Sequence, residues 1–245
     1  WDTIYSAADV KNRWPQTSSS GGIGNPVSSG QVNEADVNSR SHNLGLFSEV
    51  EYKPTSELKI TPGLRADYFS ITQESFLLPR LAAQYKASES LLYKMGSGLY
   101  AQSPEPQESS QDFGNKDINS PQAIHFTLGF DKDFKEGKTQ GHFFGMNGFY
   151  KKFNQLVISS TQKKIQDGVE VFERYNNEGS GVSYGIENQW KYQNDDIQII
   201  LSYTWSKSTR TNPRDGEYNF EYDQTHNLNL IGIYPLANDW KISGR

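Results

Sequence analysis

The chain has 245 residues, 24 Lys and Arg against 29 Asp and Glu, a net charge of -5 and no cysteine. That balance argues against a general nucleic-acid binder, which shows a basic face, and the missing cysteines exclude a disulfide framework and a thiolate metal site. Hydrophobic residues are only 34% and no apolar run approaches the ~18 residues of a membrane helix, which leaves a soluble domain or a membrane β-barrel, where only alternate residues meet lipid.

Residues 1–42 read as the end of a strand, 1–5, followed by a long extracellular loop. The Ser/Gly/Asn-rich run through Ser18-Ser19-Ser20-Gly21-Gly22 buries too little apolar surface to offset chain entropy. Trp1 opens without the basic-then-apolar pattern of a secretory signal, and residues 239–245 stop within a strand-like run. The chain is therefore expected to be an excerpt of a longer one, with 43–245 a transmembrane β-barrel segment incomplete at both ends.

From residue 43 the sequence alternates with a period of two, the signature of strands. Leu44, Leu46, Val50 and Tyr52 oppose Gly45, Phe47, Glu49 and Glu51. After a turn at 53–57, Leu58, Ile60, Leu64, Ala66 and Tyr68 oppose Lys59, Thr61, Arg65 and Asp67. Pro62 falls inside this second strand, and a bulge is expected there. Residues 76–79 read as a short connection, Leu81, Ala83 and Tyr85 as a descending strand, 86–90 as a turn, and Leu91, Tyr93, Met95 and Leu99 as the return. A polar loop with Pro104, Pro106 and Pro121 follows over 102–122. Ile124, Phe126, Leu128 and Phe130 lead to a turn at 135–138. On the next strand Phe144, Met146 and Tyr150 face outward, with Asn147 and Lys151 inward. Residues 154–177 read as an excursion with its own hairpin, Leu156-Val157-Ile158 against Val169-Glu170-Val171-Phe172. The clearest hairpin spans 183–206: Tyr184, Ile186, Trp190 and Tyr192, then a turn at 193–196, then Ile197, Ile199, Leu201, Tyr203 and Trp205 on one face. A polar loop at 208–222, a strand at 226–234 and a turn at 235–239 complete the chain.

Short turns near 54, 87, 136, 195 and 237 alternate with long polar connections near 20, 112, 166 and 215, with an intermediate one near 75. An aromatic flanks each short turn: Tyr52, Tyr85, Phe134, Tyr192 and Tyr234 before, and Trp240 after the last. Short periplasmic turns, long extracellular loops and rings at the interface describe an all-β, antiparallel transmembrane β-barrel. Roughly ten to twelve strands are expected, each of the ~9–11 residues that a tilted crossing needs. A soluble β-sandwich or sugar-binding adhesin leaves the loop asymmetry and ring placement without a cause; a passive porin-like barrel shares both.

Several phrases carry a likeness to a known family: Leu44-Gly45-Leu46-Phe47-Ser48-Glu49-Val50-Glu51-Tyr52, Thr61-Pro62-Gly63-Leu64-Arg65-Ala66-Asp67-Tyr68, Gly148-Phe149-Tyr150-Lys151-Lys152-Phe153-Asn154-Gln155-Leu156-Val157 and Tyr222-Asp223-Gln224-Thr225-His226-Asn227-Leu228. In order and spacing they resemble the barrel of TonB-dependent outer-membrane receptors, over about 43–245. The resemblance implies a 22-stranded barrel in the bacterial outer membrane, filled by a plug domain that lies outside this chain and energised through the TonB complex. It further implies uptake of a scarce nutrient: a ferric siderophore, cobalamin or a glycan. No cofactor is implied. Lipid and lipopolysaccharide are the expected surroundings.

Enzymatic chemistry finds little support. His42, His125, His142 and His226 are scattered without metal-ligand spacing. Ser206, Asp223 and His226 are near in sequence, but triads are geometric. Asp131-Lys132-Asp133 lacks the glycine and glutamate of a calcium loop, and Gly21-Gly22-Ile23-Gly24 lacks a strand–helix context. Lys151-Lys152 and Lys163-Lys164 read first as solvated charge, with lipopolysaccharide phosphates as the sharper alternative. Glu49, Glu51, Arg65, Asp67, Arg80, Gln84, Glu187, Gln189 and Lys191 are expected to line a lumen or face a plug. Tyr100, Phe113, Tyr175, Trp205, Arg210, Arg214, Tyr218 and Phe220 are the loop-proximal aromatics and arginines expected to meet a ligand.

Overall fold

A computed structural model describes residues 2–11, 36–110, 114–134, 140–166, 168–236 and 240–245. The described residues form one antiparallel sheet. Its strands are β1 (Asp2–Lys11), β2 (Asp36–Glu49), β3 (Leu58–Phe69), β4 (Glu74–Ser88), β5 (Leu91–Ala101), β6 (Gln122–Asp133), β7 (Gly141–Gln166), β8 (Val169–Gln193), β9 (Gln198–Asn212), β10 (Gly216–Asn219), β11 (His226–Pro235) and β12 (Lys241–Gly244). Each strand pairs with the next in sequence, except that β10 folds back on β9 and β11 resumes the order beside β9. A one-turn helix, α1 (Pro106–Ser109), interrupts the β5–β6 loop.

The period of two seen in the sequence becomes two faces. One carries Leu64, Leu77, Leu81, Met95, Leu128 and Leu228, all exposed, Leu128 by 68% and Leu77 by 65%. No second layer packs on it among the described residues. Soluble monomers rarely expose a contiguous apolar patch beyond a few hundred Å²; here it runs the width of the sheet, as a lipid-facing surface must. Ile186, Trp190, Ile199 and Leu201 lie on it, cross-paired through β8 and β9. By register, Tyr52, Tyr85, Phe134, Tyr192, Tyr234 and Trp240 all share this outward face at the short-turn end. His142 joins them, 4.8 Å from the Tyr192 ring and 5.6 Å from Trp190.

Several sequence expectations change. Residues 76–79 are strand, not connection: β4 begins at Glu74 and the turn is residues 70–73, with Gln73 at φ 56°. Apolar residues on both faces hid the alternation there, because Leu78 is buried on the inner face and Phe76 packs 5.7 Å from Phe69. No bulge forms at Pro62. Its register is continuous, from Glu49–Gly63 to Tyr52–Ile60. Val50 N–H still donates to Pro62 O at 3.1 Å, but Pro62 has no N–H to return. β2 therefore ends at Glu49 and resumes only as a bridge at Tyr52. β1 runs to Lys11 and pairs along its length with β2 back to Asp36, so residues 6–11 and 36–42 are strand where a loop was expected; residues 12–35, with the Gly21–Gly24 run, lie outside the described residues, as does the 135–138 turn. β9 continues to Asn212 and β10 is a strand, where a loop was expected from 208.

Residues 154–177 are the outer half of one long hairpin. β7 and β8 run 26 and 25 residues, against the ~9–11 that a crossing uses. The ladder is interrupted between Phe153 and Ile158 and between Ser160 and Lys163. Gln155 and Arg174 take positive φ of 55° and 66°, the left-handed backbone that bulges use. Beyond the membrane this hairpin packs against the β5–β6 loop. Ile118, Val157 and Tyr175 form a small core. Asn115 Nδ2 donates to Tyr175 O at 2.7 Å, Asn177 Nδ2 to Asn119 O at 2.8 Å, and Lys164 pairs with Asp117 at 2.7 Å. Lys164 holds the Asp117 carboxyl below its ordinary range.

Burial, with the Glu108 carboxylate beside it, raises the Tyr175 phenol from 10.0 to about 12. A group whose folded pKa lies above its unfolded value lends stability below the unfolded pKa and loses it as pH climbs through the folded one. The cap formed by loop and hairpin is expected to loosen between pH 10 and about 12. Limited proteolysis of the 102–121 loop across that range checks this, and Tyr175→Phe should abolish the pH dependence while keeping the loop protected at neutral pH.

Candidate functional site

The inner face is built row by row from the strand registers. One row crosses eight strands: Glu49, Gly63, Arg80, Gly98, His125, Lys151, Ser183 and Ser208, each directly opposite the next. The row above it on the long-loop side holds Tyr100, Ala123, Phe153, Gly181 and Arg210. Rings and cations interleave between the rows. Arg80 lies over the Tyr100 ring at 4.5 Å, and Tyr100 stacks on His125 at 4.2 Å. His125 meets Phe153 edge-on at 6.4 Å. Arg210 sits between Phe153 and Phe220, at 4.7 and 4.0 Å.

Glycines make this packing fit. A Cβ on Gly98 would meet Arg80 Cγ at 3.0 Å and the Tyr100 ring at 3.2 Å. One on Gly181 would meet Thr209 O at 2.7 Å and Arg210 Cδ at 2.8 Å. The arginines pair with rings rather than acids. Arg210 is only 7% exposed, and its Nη1 donates to Ser208 Oγ and Thr209 O. The Nε atoms of Arg80 and Arg210 and Oδ1 of Asn43 are buried without a hydrogen-bond partner. A cleft of about 900 Å³ opens beside Asn43 and Arg80, lined also by Arg65, Asp67, Tyr100 and Pro104; Arg210 is not among its lining residues.

The loop-proximal residues singled out by sequence separate into groups. Tyr100, Arg210 and Phe220 belong to this arc. Arg214 and Tyr218 line a smaller polar cleft of about 220 Å³ with Asn176, Glu178 and Asn212. Tyr175 is 2% exposed inside the cap, so a ligand cannot reach its ring. Trp205 points outward, opposite Ile186 and 6.0 Å from the Tyr184 ring. Phe113 lies outside the described residues. His125, Lys151 and Phe153 were not singled out as ligand residues; their signal was their inward parity at the height of the long loops.

The residues expected to line the lumen lie on the inner parity. Arg65 pairs with Asp67 at 2.8 Å along one strand rather than across two. Glu51 bridges Lys53 and Lys59 at 2.7 and 3.3 Å near the short-turn end. Lys191 lies over the Phe143 ring at 5.3 Å, and Glu187 and Gln189 stand opposite Asn147 and Gly145. Gln84 lies opposite Lys59 and Lys94. Ser206 and His226 are on opposite faces: Ser206 pairs with Gly185 inward, while His226 faces out with Nδ1 2.9 Å from Tyr203 Oη. They cannot share a substrate.

The family model described as TonB dependent receptor-like, beta-barrel matches residues 2–245. The chain belongs to that family. Its members are receptors and transporters of the bacterial outer membrane rather than enzymes, so the apolar face meets lipid and the inner face a lumen. No curated protein matches the sequence. Among solved structures, the siderophore receptor PirA from Acinetobacter baumannii superposes with a TM-score of 0.70 at 15% identity, over 83% of this chain and 32% of that one. The FrpB iron transporter from Neisseria meningitidis gives 0.65 at 16%, over 83% and 32%. The ferric enterobactin receptor PfeA from Pseudomonas aeruginosa gives 0.62 at 14%, over 91% and 41%. At such identities the likeness concerns fold, and the chain spans about a third of those receptors' length.

Forcing a side chain into the Gly181 position requires backbone or Arg210 to move, which typically costs ~1–3 kcal/mol. In the full-length receptor, Gly181→Val is expected to lower the temperature at which the compact, fast-migrating form is lost on unheated gels. Gly232→Val, at an outward position with open space around it, should leave that temperature unchanged.

Proposed function

We propose that this segment is part of a receptor for energy-coupled uptake of a scarce nutrient, and that the nutrient presents anionic, flat groups to the upper inner rows. The observation that carries this is the Arg80–Tyr100–His125–Lys151–Phe153–Arg210–Phe220 arc, in which half-buried Arg80 and buried Arg210 face rings instead of carboxylates. Guanidinium forks match carboxylate, phenolate or phosphate oxygens, and rings offer rigid apolar area. Of the nutrient classes considered, a ferric chelate with anionic arms fits this chemistry best, ahead of a neutral glycan or cobalamin. The family supports the remaining partners: a plug domain within the lumen and the TonB complex across the periplasm.

Cells carrying the full-length receptor test the reading with labelled ferric chelates of graded negative charge. Losing one charge-assisted contact of ~1.5–3 kcal/mol should weaken binding about 10- to 100-fold for Arg210→Ala, with folded receptor unchanged. Uptake should stop when the inner-membrane proton gradient is collapsed. Uptake that persists without the gradient would instead describe a passive porin, and equal binding by the Arg210→Ala receptor would remove the arc from the ligand path.

A further inference from the structure

We propose that Lys152 and Lys207 form a phosphate clamp on the outer wall of the barrel, holding the phosphorylated headgroup of an outer-leaflet glycolipid. In sequence, Lys152 belongs with Lys151; the strand separates them. Lys151 faces inward opposite His125, whereas Lys152 faces outward between Ile124 and Val182. Lys163 and Lys164 are neutralised, by Glu170 at 2.7 Å and Asp117 at 2.7 Å. Lys207 faces outward opposite Tyr184. Lys152 and Lys207 are both exposed, and neither has a carboxylate at ion-pair distance among the described residues. Asp223, across the β9–β11 junction, is engaged by Ser208 N–H at 2.8 Å and Thr225 Oγ1 at 3.4 Å.

Height decides the occupant. Tyr192, in the lower ring belt, stands opposite Ile199. Lys207 lies eight residues along β9 from Ile199, and Lys152 ten residues along β7 from His142, which pairs with Tyr192. At about 3.3 Å per residue and about 40° of tilt, those distances rise roughly 20 and 25 Å along the membrane normal, against an apolar band of ~25 Å. The two ammonium groups therefore sit at the upper edge of the hydrocarbon, with Tyr150, Tyr184 and Trp205 just at or below them. Strand spacing and rise put their Cα atoms about 12 Å apart, so two extended lysine side chains can converge on one headgroup. A cation pair at that level and on that face meets lipid, neither lumen nor open solvent. The bland alternative is that each lysine simply snorkels into interfacial water.

Full-length receptor purified from outer membranes distinguishes the two. After exhaustive detergent exchange, native mass spectrometry should show bound lipopolysaccharide on the unaltered receptor and at least a five-fold lower bound fraction for Lys152→Gln with Lys207→Gln. Lys152→Arg with Lys207→Arg should restore it, and Lys163→Gln, on the solvated hairpin, should have no effect. Re-adding lipid A should refill the site, whereas dephosphorylated lipid A or inorganic phosphate at equal concentration should not. Equal retention by the Gln pair, or equal refilling by dephosphorylated lipid A, overturns the proposal. Because the Gln pair removes only exposed charge, folding is expected to persist, and an unchanged gel-mobility shift on heating verifies it.

Discussion

Everything in this structure depends on hydrogen-bonding the backbone where water is absent. A sheet crossing hydrocarbon must pair each N–H and C=O with a neighbouring strand, because an unsatisfied group there costs several kcal/mol. The neighbour-to-neighbour ladder meets that demand, and its in-register continuity fixes which side chains point to lipid. A slip of one residue would exchange the faces wholesale, placing Lys151 in lipid and Phe126 in the lumen. The two prolines in the β3–β4 hairpin show how narrowly the rule is kept. Pro62 holds register while the β2 ladder lapses beside it, and the β4–β5 ladder stops at Arg80–Gly98, one residue short of Pro79. Both interruptions fall at ladder ends, where the missing N–H leaves the neighbouring pairs intact.

The same ladder changes purpose once it leaves the membrane. Above Phe153 the bulges around Gln155 and Arg174 break strict alternation, so apolar side chains no longer need to face lipid. Val157 and Tyr175 turn instead into a core shared with Ile118 of the β5–β6 loop. Asn115, Asn119 and Asn177 then tie loop backbone to hairpin backbone. A polar loop that would otherwise be costly to order is thereby given a fixed place above the arc formed by Tyr100, His125 and Arg210.

The parts of the fold legible in sequence were those governed by alternation alone. The 183–206 hairpin, the ring-marked short turns and the inward parity of Asn147 and Lys151 all follow from a period of two. The failures mark where a second influence enters. At 76–79, Phe76 and Leu78 are apolar because the inner face also packs, and alternation vanishes from the pattern. At 154–177 the strand outlives the membrane, so its composition resembles a loop while its backbone remains a ladder. The candidate site was half legible: Tyr100, Arg210 and Phe220 stood out by type and height, but their assembly with His125 and Phe153 comes from cross-strand register over five strands, and register is invisible to any single segment. Trp205 was misjudged for the same reason, since a ring at loop height can belong to either face.

The net charge of -5 conceals a vertical division that register exposes. At the short-turn end, acids and cations neutralise one another, as in Glu51 with Lys53 and Lys59 or Asp131 with Lys94. Toward the long-loop end, Arg80, Lys151 and Arg210 within and Lys152 and Lys207 without have no carboxylate at ion-pair distance among the described residues. Whole-chain charge governs solubility and long-range approach, but local field governs what binds. A band of cations near one height, on both sides of a wall one strand thick, presents positive charge to the lumen and to the leaflet alike. Because the strand fixes parity, Lys151 and Lys152 stay on opposite faces although they are neighbours in sequence.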